Sequence, residues 1–525
     1  MTTFAHPVAF ALACTAALAQ APFQGNNGRA YLGHTMVRIG STFEALFGSP
    51  VAPSSLAVLA LSDGLGPTVD PLVGTVGLDL LSPALSVLTF GLDAGGACSF
   101  SAAIPNTPAL VQTPPLFAVV AVLEPGGIGI SKTTRLDFEN ADSYAVSGSM
   151  ALARAGHTVT ALGEGPFDKE IRVLIAGGGG GSILVPQASA ATEVYSPLLR
   201  TTSPGPSMSV PRALHAAARL PDGRVLLCGG TDSGGNVTST VDLYDPRTNQ
   251  ITPGVAMRLP RAGHAATLLP NGRVLVTGGL ANYVNPLGNL AAVLNTAQDT
   301  GEIYDPIAGT WTSVPGTMNS RRSGHTQTLL QDGRVMIIGG IQGGTTTSLG
   351  IQIPVYTAFT AFYGTLTNSF SAGPPMLESR AFHGASVLGS GDVLVSGGSI
   401  ANPLFGLVGA TDTCERYNGV SFQGAAPLAV PVTNHVQLQA DNGHALMFGG
   451  LTGLFPTLTG SAMAGSHDGV TFTRGRDVGL NPGIAGSVAL PRGAMVGVRL
   501  FDRSIGLFGG TDGVGPLAST LIYRR

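Results

Sequence analysis

Short apolar runs separated by glycine, proline and polar turn residues fill most of the chain, and from about residue 142 onward they repeat. In each repeat an apolar run ends in a Gly-Gly doublet, and the doublets lie about 50 to 60 residues apart. The doublets are Gly177-Gly178, Gly229-Gly230, Gly278-Gly279, Gly339-Gly340, Gly397-Gly398, Gly449-Gly450 and Gly509-Gly510. Runs of this length between turn residues are typical of strands. The pattern therefore predicts a repeated all-β unit.

An Arg-x-x-His element precedes most of the doublets by about 20 residues. Its five complete copies are Arg154 and His157, Arg212 and His215, Arg261 and His264, Arg322 and His325, and Arg380 and His383. The sixth copy keeps only His435, and the seventh keeps Arg492 with Met495 in the place of the histidine. Between element and doublet, Asp222-Gly223 and Asn271-Gly272 suit the positive backbone angles of a tight hairpin turn. Each repeat should therefore open with two antiparallel strands.

A third strand carrying a tyrosine follows the variable loop after the doublet in six of the seven repeats. These tyrosines are Tyr195, Tyr244, Tyr304, Tyr363, Tyr417 and Tyr523. A fourth strand is predicted next, and in the third repeat it holds the chain's one tryptophan, Trp311. Because the seventh repeat contains only three strands, residues 142–150 are predicted to supply its fourth, beside Leu521-Ile522-Tyr523. This pairing would close a ring without an exposed edge.

Four strands at a period near 50, with these recurring marks, resemble kelch repeats, in particular those of galactose-oxidase-like secreted proteins. The resemblance implies a seven-bladed kelch-type β-propeller over residues 138–525. The chain departs from the kelch pattern because six of the seven repeats lack the fourth-strand tryptophan.

Residues before the propeller divide into two segments. An apolar run over residues 7–19, followed by Gln20-Ala21-Pro22, predicts a signal peptide over 1–21, although its first six residues contain no Lys or Arg. A lipoprotein signal with acylated Cys14 is the alternative. Residues 22–137 carry short alternating or apolar runs and predict a small β-sandwich-like domain, which resembles a module common on secreted bacterial proteins. The protein is thus expected to be secreted, or to lie at the cell surface or in the periplasm.

Composition narrows the set of partners. The formal net charge is −3 and no basic stripe follows the chain, so nucleic acid is excluded as a partner. No later segment has 18 consecutive apolar residues, so no transmembrane segment is predicted. The remaining cysteines, Cys98, Cys228 and Cys414, have neither disulfide nor zinc spacing and are predicted to be single thiols. A monomer without a cofactor is expected.

The enzymatic alternative rests on the family resemblance. Galactose-oxidase-like copper radical enzymes hold copper near the propeller axis with histidines and tyrosines, including an adjacent Tyr-His pair. Here the residues before the repeat histidines are Gly156, Leu214, Gly263, Gly324, Phe382 and Asn434, none of them tyrosine. We therefore assign no catalytic residue and no metal ligand, and favour a binding protein for an extracellular glycan or protein.

Two sets of residues are candidates for ligand binding on the face formed by the loops between strands two and three and the links between blades. The first is a ring of six arginines, Arg154, Arg212, Arg261, Arg322, Arg380 and Arg492. The alternative is that each arginine ties its blade to a neighbour, through backbone carbonyls or a carboxylate such as Asp245 or Asp305, and full burial would favour it. The second set is Tyr283 and Asn285, on the long loop of the third repeat.

Overall fold

The computed structural model describes residues 143–162, 172–180, 187–284, 286–402, 407–455, 457–478, 489–500 and 504–524 of the C-terminal part. In the N-terminal part it describes 31–34, 42–48, 56–62, 68–70, 74–76, 86–92, 94, 97–103, 116–124, 127–130 and 134–136. The predicted signal peptide and Asn285 lie outside the described residues. Contacts divide the chain into two compact units, the second of which begins at Tyr144.

Apart from Leu92 and Ala94, the described residues of the first unit lie in strands. Tyr31–His34, Thr42–Gly48 and Ala97–Ala103 form a three-stranded antiparallel sheet. A five-stranded sheet consists of Leu56–Ser62, Ser86–Gly91, Leu116–Glu124, Gly127–Ile130 and Thr134–Leu136. Thr68–Asp70 pairs with Gly74–Val76. The β-rich character expected for this segment is confirmed.

Seven four-stranded antiparallel sheets form most of the described part of the second unit, and we call them blades 1 to 7 in chain order. The strands of blade 1 are Ala155–Ala161, Val173–Gly179, Thr192–Ser196 and Thr201–Pro204. Those of blade 2 are Ala216–Arg219, Val225–Cys228, Val241–Asp245 and Gln250–Gly254. Those of blade 3 are Ala265–Leu268, Val274–Thr277, Gly301–Asp305 and Thr310–Ser313.

Blades 4 to 7 repeat this plan. The strands of blade 4 are Thr326–Leu329, Val335–Ile338, Thr360–Gly364 and Ser369–Ala372. Those of blade 5 are Gly384–Val387, Val393–Ser396, Cys414–Tyr417 and Phe422–Ala425. Those of blade 6 are Val436–Gln439, Ala445–Phe448, Ala464–His467 and Phe472–Arg474. Blade 7 consists of Val496–Arg499, Ile505–Phe508, Thr520–Arg524 and Ser143–Ser147.

The blades form a closed ring. The first strand of each blade contacts the first strands of the blades before and after it, and the first strand of blade 7 contacts that of blade 1. Ser143–Ser147 lies beside Thr520–Arg524 in the last sheet, so the predicted closure by both ends of the propeller is confirmed. The all-β propeller predicted from the repeat is confirmed with it.

Packing between successive blades explains which residues recur. Second strands such as Val225–Cys228 and Val274–Thr277 are buried along their whole length. The third-strand tyrosines also lie in these inter-blade cores, and the Tyr195 ring is 5.2 Å from the Phe508 ring across the junction of blades 1 and 7. Apolar burial on both faces of each sheet is the main stabilising contribution in such a ring.

Each glycine of the doublet fills a different role at the blade junction. Gly229 has φ +66°, and a Cβ there would lie 2.5 Å from the Arg261 carbonyl oxygen and 2.7 Å from the His264 ring, both in blade 3. Gly230 has φ +97°, and its Cβ would lie 2.5 Å from the Ala213 carbonyl oxygen of its own blade. Its N–H donates to the Arg261 carbonyl at 2.7 Å. The doublet therefore lets the backbones of neighbouring blades approach.

We expect Gly229→Ala to lower the free energy of unfolding by about 2 to 4 kcal/mol, because left-handed backbone strain and steric overlap add. Gly223→Ala is the matched control, since Gly223 has φ +89° but its Cβ would meet nothing within 4 Å. Gly223→Ala should lower the free energy of unfolding by only about 1 kcal/mol, because it adds left-handed backbone strain without steric overlap. Urea denaturation of both variants measures the difference in the free energy of unfolding. An equal loss of stability in the two variants would show that close packing at the doublet does not contribute.

Candidate functional site

The six repeated arginines are buried in the blade junctions, each with an exposed fraction of 0 or 1%. In blade 3, Arg261 donates from Nη1 to the carbonyls of Gly278 at 2.7 Å and Thr300 at 3.1 Å. Its Nη2 is 3.1 Å from Glu302 Oε1. The arginine ring expected to line a ligand site is therefore corrected, because these guanidinium groups have no free surface. The alternative is corrected in part as well: the guanidinium bonds run within the arginine's own blade, and it is the backbone carbonyl, as in Gly230 N–H to Arg261, that bonds to the preceding blade.

The carboxylates that pair with these arginines differ from those predicted. Buried partners are Glu193 for Arg154, Asp242 for Arg212, Glu302 for Arg261 and Glu415 for Arg380. Asp245 pairs instead with Arg247 and Asp305 with Arg273, both exposed. The reason is strand direction, because the third strand starts at the end of the blade where the arginine lies and reaches Asp305 only at its far end. Sequence reasoning missed the acidic residue two positions before the tyrosine.

A methionine four residues before the arginine is a second mark that sequence reasoning missed. It occurs in five blade junctions, as Met150, Met208, Met257, Met318 and Met376, all buried. The Met257 methyl group would lie 2.9 Å from a Cβ at Gly229, so it fills the space left by the doublet of the preceding blade. Its fixed spacing could have been read from the sequence, and it indicates packing rather than chemistry.

The repeat histidines are buried as well. His325 Nε2 is 2.9 Å from Thr277 Oγ1, and His435 Nε2 is 2.8 Å from Ser396 Oγ, each in the preceding blade. Burial, followed by the charge of the arginine in the same element, lowers the pKa of His157, His264 and His383 to about 3. The pKa of His435 falls to about 4 through burial, in the blade where Val432 replaces the arginine. These histidines stay neutral in the folded protein near pH 7.

These shifts predict a loss of stability on mild acidification. Because each folded-state pKa lies below the ordinary value, the unfolded chain binds more protons below pH 6.5, and stability falls as the pH drops from about 6.5 toward 3. Each repeat histidine should contribute a slope approaching about 1.4 kcal/mol per pH unit. Melting temperatures between about pH 7 and 5.5, where carboxylates remain ionised in both states, measure it. A stability that does not change with pH in that window would contradict the burial of neutral histidines. His383→Gln should reduce the slope by the contribution of one titrating group.

Cys228 and His264 form the one thiol-imidazole pair that the described residues show, with Sγ 3.7 Å from Nε2. Burial raises the pKa of the Cys228 thiol to about 12, while that of His264 falls to about 3. Neither the thiolate nor an accessible base is therefore present at neutral pH. We assign this pair to packing. Over the described residues, no three His, Cys, Asp or Glu side chains converge as metal ligands would.

A series of six backbone hydrogen bonds links the seven blades at the start of the first strands. The third residue of every Arg-x-x-His element has positive φ, including the non-glycine residues Leu214, Phe382, Asn434 and Ala494 at 50 to 55°. In six of the seven blades the N–H of this residue donates to the carbonyl of its counterpart in the preceding blade at 2.9 to 3.0 Å, from Leu214 to Gly156 through to Ala494 to Asn434. We call these seven residues the collar: Gly156, Leu214, Gly263, Gly324, Phe382, Asn434 and Ala494.

Side chains on the collar are mostly small or apolar. Phe382, 37% exposed, lies across Gly324, where an added Cβ would be 2.5 Å from its ring. Leu214 similarly approaches Gly156. Asn434 is the collar side chain with a polar group. An axial metal site of the kind implied by the copper-enzyme resemblance would need imidazole or phenolate ligands here.

The loops between the second and third strands of blades 3 to 6 build a second layer on the same face as the collar. They contain the helix Leu290–Leu294 and three hairpins. The hairpin strands are Ile341–Thr346 with Gln352–Tyr356, Ser399–Asn402 with Leu407–Ala410, and Leu451–Thr452 with Thr459–Gly460. We call the described residues of the four segments 281–298, 341–359, 399–411 and 451–462 the crown.

Neighbouring crown segments are bonded to one another. Gly344 N–H donates to Asn295 Oδ1 at 3.0 Å, which ties the blade 4 hairpin to the end of the helix. Phe455 N–H donates to the Val408 carbonyl at 2.7 Å, which joins the hairpins of blades 5 and 6. Gly460 N–H then donates to the Asp512 carbonyl of blade 7 at 2.7 Å. Tyr356 of the blade 4 hairpin packs in one apolar cluster with Ala401 and Val408 of the blade 5 hairpin, so the crown is a continuous arc rather than four separate loops.

Tyr283 lies in the apolar core of this arc. It packs with Leu280, Val293, Leu294 and Ile341, and only 9% of it is exposed. Burial raises the pKa of Tyr283 to about 12. The expectation that Tyr283 presents its side chain to a ligand is corrected: it supports the loop, and the exposed crown residues around it become the candidates.

The crown segments are uncharged and expose several large apolar side chains among polar ones. Its protruding side chains include Leu287, 71% exposed, Leu349, 77%, and Leu454, 50%. The four crown segments contain no Asp, Glu, Lys, Arg or His. On the opposite face, the hairpin turns carry ion pairs such as Arg224–Asp222, Arg247–Asp245 and Arg334–Asp332. The crown segments thus lack the charged residues that these turns carry, and the charges beside them, such as Arg321 at the Asn295 carbonyl, come from the links between blades.

Comparisons with known proteins identify the repeat. The kelch motif matches residues 212–254. The chain is similar to the solved structure of YjhT, with 14% identity over 62% of this chain and 99% of that chain, at a TM-score of 0.47. It is also similar to a fungal alcohol oxidase of the AA5 family in complex with copper, with 14% identity over 73% of this chain and 76% of that chain, at a TM-score of 0.53. No curated protein matches the sequence.

Proposed function

We propose that this kelch-type β-propeller is the binding part of a secreted protein and that its crown and collar contact an extracellular carbohydrate or protein. The observation that carries the proposal is the crown, an ordered arc of loops that adds an apolar surface to a ring whose own polar residues are used internally. Loops on a rigid scaffold are the usual place for recognition in such folds. No helix in the described part is long and apolar enough to cross a membrane.

The second candidate function, a copper radical oxidase, draws support from the fold shared with the fungal alcohol oxidase. The repeat histidines do not fit that chemistry, because His157, His264 and His383 are buried in the blade junctions with pKa values of about 3. Metal analysis of protein purified in the presence of copper, with a peroxide assay on simple alcohols, separates the two functions. Stoichiometric copper and peroxide release would favour the oxidase.

Screening the purified propeller protein against arrays of glycans and extracellular proteins tests the binding function directly. Leu349→Asp places a charge on the crown, and Leu366→Asp places the same charge on an opposite-face turn, where Leu366 is fully exposed. A ligand of the inter-blade face should be lost with the first variant and retained with the second. Retention in both variants, or loss only with Leu366→Asp, would contradict the proposal.

A further inference from the structure

We infer that the crown is a self-association surface on which two copies of this chain meet face to face. The inference rests on the proposed function, because it names a second copy as the protein that occupies the same face. It replaces the monomer expected from the sequence. Three properties of the crown lead to it: exposed aliphatic side chains, absence of charge and a rigid shape.

Exposed aliphatic side chains lie on every segment of the arc. Leu287 belongs to blade 3, Leu349 and Ile351 to blade 4, and Leu407 to blade 5, with exposed fractions of 71, 77, 44 and 47%. Leu454 and Phe455 continue the series in blade 6 at 50 and 40%. Isolated apolar side chains are common on protein surfaces, but an apolar series on bonded neighbouring segments marks a contact surface.

The lack of charged residues in the crown segments indicates which molecule binds there. In a twofold contact the same patch faces itself, so any net charge on the patch would be repelled by its own copy. The crown segments contain no charged residue. Two charged side chains bond to them from the links between blades and have opposite signs: Arg321 donates to the Asn295 carbonyl at 3.3 Å, and Glu378 accepts from Thr411 Oγ1 at 3.5 Å. Binding to an anionic membrane would require a cluster of Lys and Arg around the apolar tips, and the crown segments themselves contain none. A surface without charged residues and with exposed apolar side chains would be complementary to the crown. The crown of a second copy of this chain is such a surface.

Rigidity makes the contact favourable. Asn289 Oδ1 accepts from the Ala292 N–H and caps the helix, and Ala291 N–H donates to Gln352 Oε1 at 2.7 Å in the next hairpin. Little ordering of these segments is required on contact, which reduces the entropic cost of association. Such a contact should be driven by apolar burial and should not weaken as salt screens charges.

Sedimentation velocity on the full chain, over a series of protein concentrations and at about 0.1 and 1 M NaCl, tests the inference. We expect a concentration-dependent dimer that salt does not dissociate. Leu349→Asp combined with Leu454→Asp should weaken the dimer by at least about tenfold, because each charge would be buried against its own copy. Leu366→Asp, on the opposite face, should leave it unchanged, and circular dichroism confirms that both variants are folded.

The outcomes separate this inference from the proposed function. A monomer at all concentrations, a dimer dissociated by salt, or a dimer equally sensitive to Leu366→Asp would overturn the inference. A monomer that binds a glycan or another protein through the crown overturns it and leaves the proposed function standing. A crown-dependent dimer supports the inference even when the arrays yield no other ligand.

Discussion

Removal of residues 519–525 is expected to abolish the cooperative unfolding of the propeller, with loss of most of its thermal transition. The deletion takes away Thr520–Arg524, which lies between Ser143–Ser147 and Ile505–Phe508 in blade 7. Tyr523 packs there against Phe448 of blade 6, with ring centroids 4.8 Å apart. Without this strand the ring cannot close, and sheet edges on both sides are left unpaired. Differential scanning calorimetry of the truncated protein measures the effect.

A deletion of similar kind on the crown provides the control. Removing residues 348–350 shortens an exposed hairpin tip of blade 4 and leaves the ring intact. Its melting temperature should lie within a few degrees of that of the full chain, since short exposed loop tips tolerate such changes. If the C-terminal truncation unfolds at the same temperature as this control, the last strand does not close the ring.

Arg261→Ala should lower the free energy of unfolding by about 3 to 5 kcal/mol, because it leaves Glu302 as a buried carboxylate without its cation. Glu302 Oε2 would still accept from the Arg258 N–H at 2.7 Å, which compensates for only part of the charge. The exposed pair of Arg247 and Asp245 supplies the matched control, and Arg247→Ala should change the stability little. Chemical denaturation of both variants gives the comparison.

Two further variants assign the loss to the buried pair. Arg261→Met with Glu302→Leu should recover most of the stability, because both charges are removed together. Arg492→Ala should cost less than Arg261→Ala, since the partners of Arg492 among the described residues are the carbonyl and hydroxyl of Ser519 and not a carboxylate. An Arg261→Ala protein that stays fully stable but loses a ligand would restore the arginine to the binding surface.

The sequence was sufficient for the architecture, because the marks of the repeat are local and physical. Each doublet must be glycine because its backbone has positive φ and lies close to the backbone of the neighbouring blade. One doublet therefore marks one junction between blades. Ring closure followed from one missing strand after Tyr523 and one extra strand before Arg154. The kelch resemblance drawn from these marks is confirmed by the kelch match over residues 212–254.

The candidate site was less predictable. The six arginines were predicted to form a ring because they recur near the axis. Whether their side chains reach the surface depends on which carboxylate of the third strand is nearest, and that is the buried Glu302 at the start of the strand and not Asp305 at its end. Tyr283 stood in a long loop, yet the loop folds onto its neighbours and buries it. The crown depends on contacts between segments far apart in sequence, such as Phe455 with Val408. Such contacts cannot be predicted from the local pattern of residues along the sequence.

Hydrogen–deuterium exchange, compared between free and occupied protein, tests most directly whether the inter-blade face is the binding surface. Occupied protein is either the associated form at high concentration or the complex with an array ligand. Slower exchange is predicted in the crown segments 281–298, 341–359, 399–411 and 451–462, with the hairpin turns of the opposite face unchanged. Protection confined to those opposite-face turns, around Asp222, Asp332 and Leu366, would contradict the account.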